Sequence, residues 1–278
     1  FFFFFFFFFF FFLLLCSSIL QSFARTGTAL ERALAAHVTA AKLGNVTIDI
    51  FDTGQGTCTQ LANRLAASDY HAVVGAARSA CSVELARVLG PAGVPQVSPS
   101  STSDVLSNKT LYPTFFRIPP PDSFQGNGLA ALVRHFRWTK VGSLAGTDVY
   151  ADGLATTFEQ AVQRRGVRLT ARLRLEDPLT PAQATELMTQ LKAGGSAVNL
   201  LSVLPAQLVV LMSAARDLNM TGRGWTWLLV DASAVLQDPQ TQLSLRGAVA
   251  LVPLLGQGPT LDFLVRNTTG ALPDLFRF

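Results

Sequence analysis

The chain has 278 residues, 49% of them hydrophobic and only 14% charged, with a formal net charge of +4. That length suits one large or two medium domains with ample core, and so few charges exclude a disordered tail. The 22 Lys and Arg are scattered along the chain without the basic runs and interleaved aromatics of a nucleic-acid surface, so nucleic acid is discounted as a partner.

Residues 1–15, twelve phenylalanines and three leucines, hold more than half of the chain's 22 Phe and are set aside as low complexity. Three readings stand for them. The first is a signal-peptide core or signal anchor, a hydrophobic leader spanning 1–24 that ends in the small and polar residues Ser17, Ser18, Ser22 and Ala24. Against it, the run is short of the ~20 residues of a bilayer span and no initiating Met or basic n-region precedes it, so the second reading is a truncated or faulty N-terminus. The third, a core strand, is disfavoured because identical aromatics cannot interdigitate with defined neighbours.

From there helix and strand alternate. ALERALAAHVTAAK (29–42) reads as helix stopped by Gly44, VTIDIF (46–51) as strand, 59–68 as helix and HAVVGA (71–76) as strand. Residues 82–89 form a short helix closed by Gly90-Pro91, and PQVS is strand. In SNKTLYPTFFRIPPPDS (107–123), YPTFFRI reads as a buried strand entering a polyproline-like rod, Ile118 to Pro121. A strand that ends in a rod suggests a crossing between two compact bodies. Beyond it, DSFQGNGLAALVRHF is helix with Asp122 or Ser123 as cap, and KVGSLAG is strand. ADGLATTFEQAVQRR is helix, VRLTARLRL strand, and TPAQATELMTQLKAGG helix with Pro181 near its start and a glycine stop. AVNLLSV is strand, PAQLVVLMSAARDLN helix and WTWLLVD strand. Such alternation with short connections marks parallel sheets covered on both faces, an α/β chain of two Rossmann-like halves joined at the prolines.

Outside the leader only Cys58 and Cys81 remain, flanking a strand, and they read either as one disulfide or as two small buried thiols. Four glycosylation sequons, at Asn45, Asn108, Asn219 and Asn267, each lie beside a turn or element end. Together with the leader and the cysteine pair they favour an exported protein. The chain carries no GxGxxG, P-loop, HExxH or GxSxG, and His37, His71 and His135 are isolated, so neither an enzyme, a metal site nor a cofactor is expected.

Three segments carry a resemblance: VPQVSPSSTSDVLSNKTLYPTFFRIPPPDSFQ (94–125), HFRWTKVGSLAGTDVYADGLATTF (135–158) and WTWLLVD (225–231), with GTCTQLANRL and SACSVELARVL upstream. Over roughly residues 29–270 the chain resembles the extracellular ligand-binding module of class C G-protein-coupled receptors, with metabotropic glutamate and type B GABA receptors nearest. The resemblance implies a bilobed clamshell of the type I periplasmic-binding-protein kind. Lobe 1 would take residues 25–119, lobe 2 120–253, and 254–278 would return towards lobe 1 as the chain, read as a fragment, stops. It also implies a Cys58–Cys81 disulfide and a hinge role for the proline rod.

The same resemblance implies a small amino-acid-like ligand held between the lobes. Ser82, at the start of the helix after Cys81, would contribute to lobe 1, with Ser79 as the alternative, and so would Ser100 and Thr102 of the run SPSSTS, which follows a strand end. Lobe 2 would supply Asp122, Tyr150 and Asp231. Each has a plainer structural reading beside it: Ser82, Asp122 and Asp231 as caps, the SPSSTS hydroxyls as turn formers, Tyr150 as a core aromatic. Binding would favour the closed form only through differential affinity for it. Implied partners are a second receptor chain, the same or different, through lobe 1, and a heterotrimeric G protein through a membrane region beyond this chain. The implied location is the outer face of the plasma membrane. Two rivals use the same fold: an amino-acid-binding protein of a transporter and a guanylyl-cyclase receptor ectodomain.

Overall fold

The computed structural model describes residues 49, 51–53, 57–230 and 239–251. The leader, the helix expected at 29–42, nearly all of the strand at 46–51, Asn45, Asp231 and Asn267 lie outside the described residues. The chain divides into two compact units, one of residues 1–101, 108–119 and 254–278, the other of 102–107 and 120–253. The passage at 119/120 falls inside the triple proline.

In the first unit α1 (Cys58–Ala66) opens on a capping box, in which Thr57 Oγ1 accepts from Gln60 N–H while Gln60 Oε1 accepts from Thr57 N–H, both at 3.2 Å. Strand β1 (Val73–Val74), α2 (Ser79–Leu89), β2 (Gln96–Ser98) and β3 (Phe115–Arg117) follow. The three strands pair in parallel in the order β1-β2-β3. Ala62 and Leu65 of α1 pack with Leu85 and Leu89 of α2, and a Cys58–Cys81 disulfide with Cα atoms 5.3 Å apart ties the two helices. Helix α2 begins three residues before the expected start at Ser82. Its N-cap, Arg78, makes no side-chain capping bond, so the usual start signal is missing, and the serines that resemble caps lie inside the helix.

The second unit opens with a 3-10 turn, Asp104–Ser107, and continues through α3 (Asp122–His135), β4 (Lys140–Gly146), α4 (Val149–Arg164), β5 (Arg168–Leu175) and α5 (Pro181–Ala193). It then runs through β6 (Val198–Ser202), α6 (Pro205–Asp217), β7 (Thr226–Leu229), α7 (Pro239–Ser244) and β8 (Val249–Ala250). All five strands are parallel, in the order β5-β4-β6-β7-β8. One apolar cluster joins Leu129 and Val133 of α3 to Leu154, Phe158 and Val162 of α4, and a second joins Met188 and Leu191 of α5 to Leu211 and Met212 of α6 and to Trp227. Every residue of β6 is buried, as expected of a strand with helices on both faces.

Two local devices set this geometry. Thr180 and Gln183 form the capping box of α5 with Pro181 in its first turn, where a missing N–H costs nothing. Gly142 lets β4 lie against β6, because a Cβ there would sit 2.2 Å from Asn199 Oδ1. Helix α3 departs from expectation at its start: Pro121 is the N-cap, Asp122 is the first helical residue, and no side chain caps the helix. The short α7 and β8 had no counterpart in the sequence reading.

Candidate functional site

In open parallel sheets ligands bind outside the carboxyl ends of the strands, where the strand order reverses. In the second unit β4 is flanked by β5 and β6, so the chain winds outwards in both directions from β4, and the reversal falls between the ends of β4 and β6. Asp148, just past Gly146, is the N-cap of α4, and its Oδ1 accepts from the N–H groups of Tyr150 at 3.1 Å and Ala151 at 3.3 Å. That cap fixes Tyr150 in the first turn, half-buried against the apolar cluster of α3 and α4. Both readings of Tyr150 thus have a basis: the ring contributes to the core and the residue stands at the switch point. Ser202, the last residue of β6, is fully buried and donates to Ala151 O at 2.8 Å, joining the strand end to the same helix start.

Asp122 lies at this end too. It is 1% exposed, its N–H donates to Thr102 O at 2.8 Å, and its carboxylate sits at a helix N-terminus, where the dipole favours negative charge. Ser123 Oγ donates to Asp104 Oδ1 at 2.8 Å, fastening the 3-10 turn to α3. Thr102 is half-buried and belongs to this unit. Asp152, Glu176 and Asp177 also fall at the carboxyl end of the sheet, where Asp152 pairs with Arg174 at 2.6 Å.

In the first unit the serines divide into two kinds. Ser82, Ser98 and Ser101 are fully buried and converge on Ala76: Ser98 Oγ donates to Ala76 O at 2.6 Å, Ser82 Oγ accepts from Ala76 N–H at 3.0 Å, and Ser101 Oγ donates to Ser82 Oγ at 2.8 Å. This cluster locks the loop after β1 to the segment after β2. Ser82 is therefore one turn inside α2 rather than at its start, with its hydroxyl occupied by the protein. Ser79 holds the first position of the helix and is 4% exposed. Ser100 is half-buried and donates to Ala77 O at 2.9 Å.

The structure thus brings Thr102, Asp122 and Tyr150 to one end of the second unit, and Ser79 and Ser100 to the strand ends of the first. Sequence reasoning missed Asp148, Ser98 and Ser101. The first was findable, since an Asp before an apolar-periodic run is a cap signal. The two serines follow from a pairing of β1 with β2 that local pattern does not contain. Among the described residues no group of His, Cys, Asp or Glu is arranged to hold a metal ion, and no helix is long and apolar enough to cross a membrane.

Residues 28–270 match the receptor family ligand binding region. The chain is similar to a metabotropic glutamate receptor of Drosophila melanogaster, 30% identical over 147 residues, covering 52% of this chain and 15% of the receptor. It is similar also to the extracellular calcium-sensing receptor of Homo sapiens, 28% identical over 204 residues, covering 68% of this chain and 18% of the receptor. With the metabotropic glutamate receptor-like protein E of Dictyostelium discoideum it shares 29% identity over 193 residues, 67% of this chain and 23% of that protein. It spans less than a quarter of the length of each. Parallel sheets in two α/β units, the bridged cysteines and a match over nearly the whole chain agree, and the chain belongs to the receptor family ligand binding region.

Proposed function

We propose that the chain is the extracellular ligand-binding region of a class C G-protein-coupled receptor and takes a small amino-acid-like ligand that stabilises a closed form. The observation that carries this reading is the switch point of the second unit, where the Asp148 cap presents Tyr150 beside the ends of β4 and β6, at the acidic end of the sheet that also holds Asp122. A zwitterion needs an acceptor for its ammonium and donors for its carboxylate. Tyr150 offers a ring face worth ~0.5 to 2 kcal/mol to an ammonium, and Asp122 and Asp231 offer charge-assisted acceptors. Ser100 and Thr102, with Ser79 at the start of α2, offer hydroxyls and a helix N-terminus for the carboxylate. Ser82 enters this site through the loop that it holds. Pairing through the first unit and coupling to a heterotrimeric G protein belong to the same reading.

Calorimetry of the receptor's whole extracellular region, screened with glutamate, GABA, glycine and other amino acids, tests it. A ligand is expected, with Asp231→Ala and Asp122→Asn each weakening it by about 2 to 5 kcal/mol and Thr102→Ala by about 1. If a ligand binds but Thr102→Ala, Tyr150→Ala and Asp231→Ala leave its affinity unchanged, the site lies elsewhere.

A further inference from the structure

The end of the second unit opposite the acidic one is basic. Arg134 lies in the last turn of α3, Arg137 in the connection to β4, Lys140 at the first position of β4, Arg164 at the end of α4, Arg165 at its C-cap and Arg168 at the first position of β5. These cations look scattered along the sequence, and the fold gathers them. Lys140 and Arg168 are register partners in the β4/β5 pair, Arg168 N–H donates to Thr139 O at 2.9 Å, and Arg134 Nη1 donates to Arg165 O at 3.2 Å. Five of the six are exposed and Arg165 is half-buried. Among the described residues none of the six forms an ion pair. No Asp or Glu occurs between Asp122 and Asp148, and the single one between Asp152 and Glu176, Glu159, is bound by Arg172 and Arg174.

Helix dipoles account for Arg134 and Arg164, which stand at helix C-termini. They do not account for Arg137, Lys140 and Arg168, which lie off the helices. Lys140 and Arg168 are register partners, and like charges directly opposite one another in a sheet repel. The patch also has an aromatic side: Phe136 is 51% exposed and stacks on Trp138 with ring centroids 4.9 Å apart, and His135 meets Phe136 edge-on.

We propose that this end of the second unit binds a sulfated polysaccharide. Arginine forks match the paired oxygens of a sulfate, and the exposed Phe136 ring offers an apolar face to the C–H side of a sugar. A sulfate polymer is favoured over nucleic acid because the Cys58–Cys81 disulfide places the chain in an oxidising compartment, where sulfated chains are the abundant polyanions. The proposal does not depend on the amino-acid site.

The test is retention of the whole 278-residue chain on immobilised heparin. Retention is expected to persist beyond about 0.15 M salt, and soluble heparin should displace the chain where desulfated heparin does not. Replacing four cations together, Arg134→Ser, Arg137→Asn, Lys140→Ser and Arg168→Ser, should weaken binding at least tenfold and lower the salt slope by about one per charge removed. Asparagine is chosen at 137 because that residue has φ 56°, a conformation asparagine tolerates. Equal charge removal elsewhere, Arg87→Ser, Arg216→Ser, Arg223→Ser and Arg246→Ser, should change binding less than twofold. If the quadruple variant misfolds, Lys140→Glu alone at its exposed strand end should weaken binding at least threefold. Loss of retention at 0.15 M, equal weakening by the two sets, an unchanged Lys140→Glu or equal displacement by single-stranded DNA of matched charge would each overturn the proposal.

Discussion

Glu159 shows what one buried charge requires. It is 3% exposed, and its carboxylate accepts from Ser143 Oγ at 2.7 Å, Arg174 Nη1 at 2.8 Å and Arg172 Nε at 2.7 Å. Arg174 also reaches Asp152 at 2.6 Å. Desolvation pulls the Arg174 guanidinium down, but its hydrogen bonds and charge interactions with Glu159 and Asp152 outweigh that, and its pKa ends above the usual arginine value. The two arginines are not equivalent, since the Arg172 side chain is 59% exposed and that of Arg174 21%. Arg174→Ala is expected to cost about 2 to 4 kcal/mol, because it leaves the buried carboxylate with only Ser143 and the more exposed Arg172, and Arg172→Ala less than about 1. Urea denaturation measures both, and equal losses would refute the asymmetry.

At the scale of elements, two glycines separate packing from propensity. A methyl on Gly142 would meet Asn199 Oδ1 at 2.2 Å and Leu191 Cδ1 at 2.7 Å, while a methyl on Gly153, inside α4, would meet nothing within 4 Å. Gly142→Ala should therefore destabilise by about 1 to 3 kcal/mol, and Gly153→Ala should stabilise by about 0.5 to 1. Thermal unfolding of the pair checks it, and the same sign for both would sink the argument. What was legible follows the same division. Strand β4 was read at its observed bounds, and β6 and α5 to within about two residues, because apolar runs, a Pro start and a Gly stop are local signals. So was the placing of Tyr150 just past a strand. The start of α2 was not legible, since Arg78 gives no cap signal, and the serine cluster at Ala76 exists only once β1 lies beside β2. Strands of two residues, such as β8, leave no period to read.

At the scale of the molecule, the sequons reach both units. Asn108 is exposed in the first unit and Asn219 in the second. Both should carry glycans on cell-made protein, and Asn108→Gln with Asn219→Gln should remove two steps of the gel shift that a glycosidase abolishes. The disulfide, by contrast, belongs to one unit. Cys58 and Cys81, 23 positions apart, lie in the first, whereas the chain's three tryptophans, Trp138, Trp225 and Trp227, all lie in the second. Each unit has its own apolar cluster, so each can unfold as a unit, and a single two-state transition is not expected. Closing a loop of this length stabilises by roughly 3 kcal/mol on the chain-entropy model. Denaturation followed by tryptophan fluorescence reads the second unit alone, while far-UV circular dichroism reads both. Reduction, or Cys58→Ala with Cys81→Ala, should move an early component of the dichroism transition to lower denaturant, by that free energy divided by the component's m-value. The fluorescence midpoint should stay where it was. A fluorescence midpoint that moves together with the dichroism would show that the two units unfold as one, and would refute their thermodynamic independence.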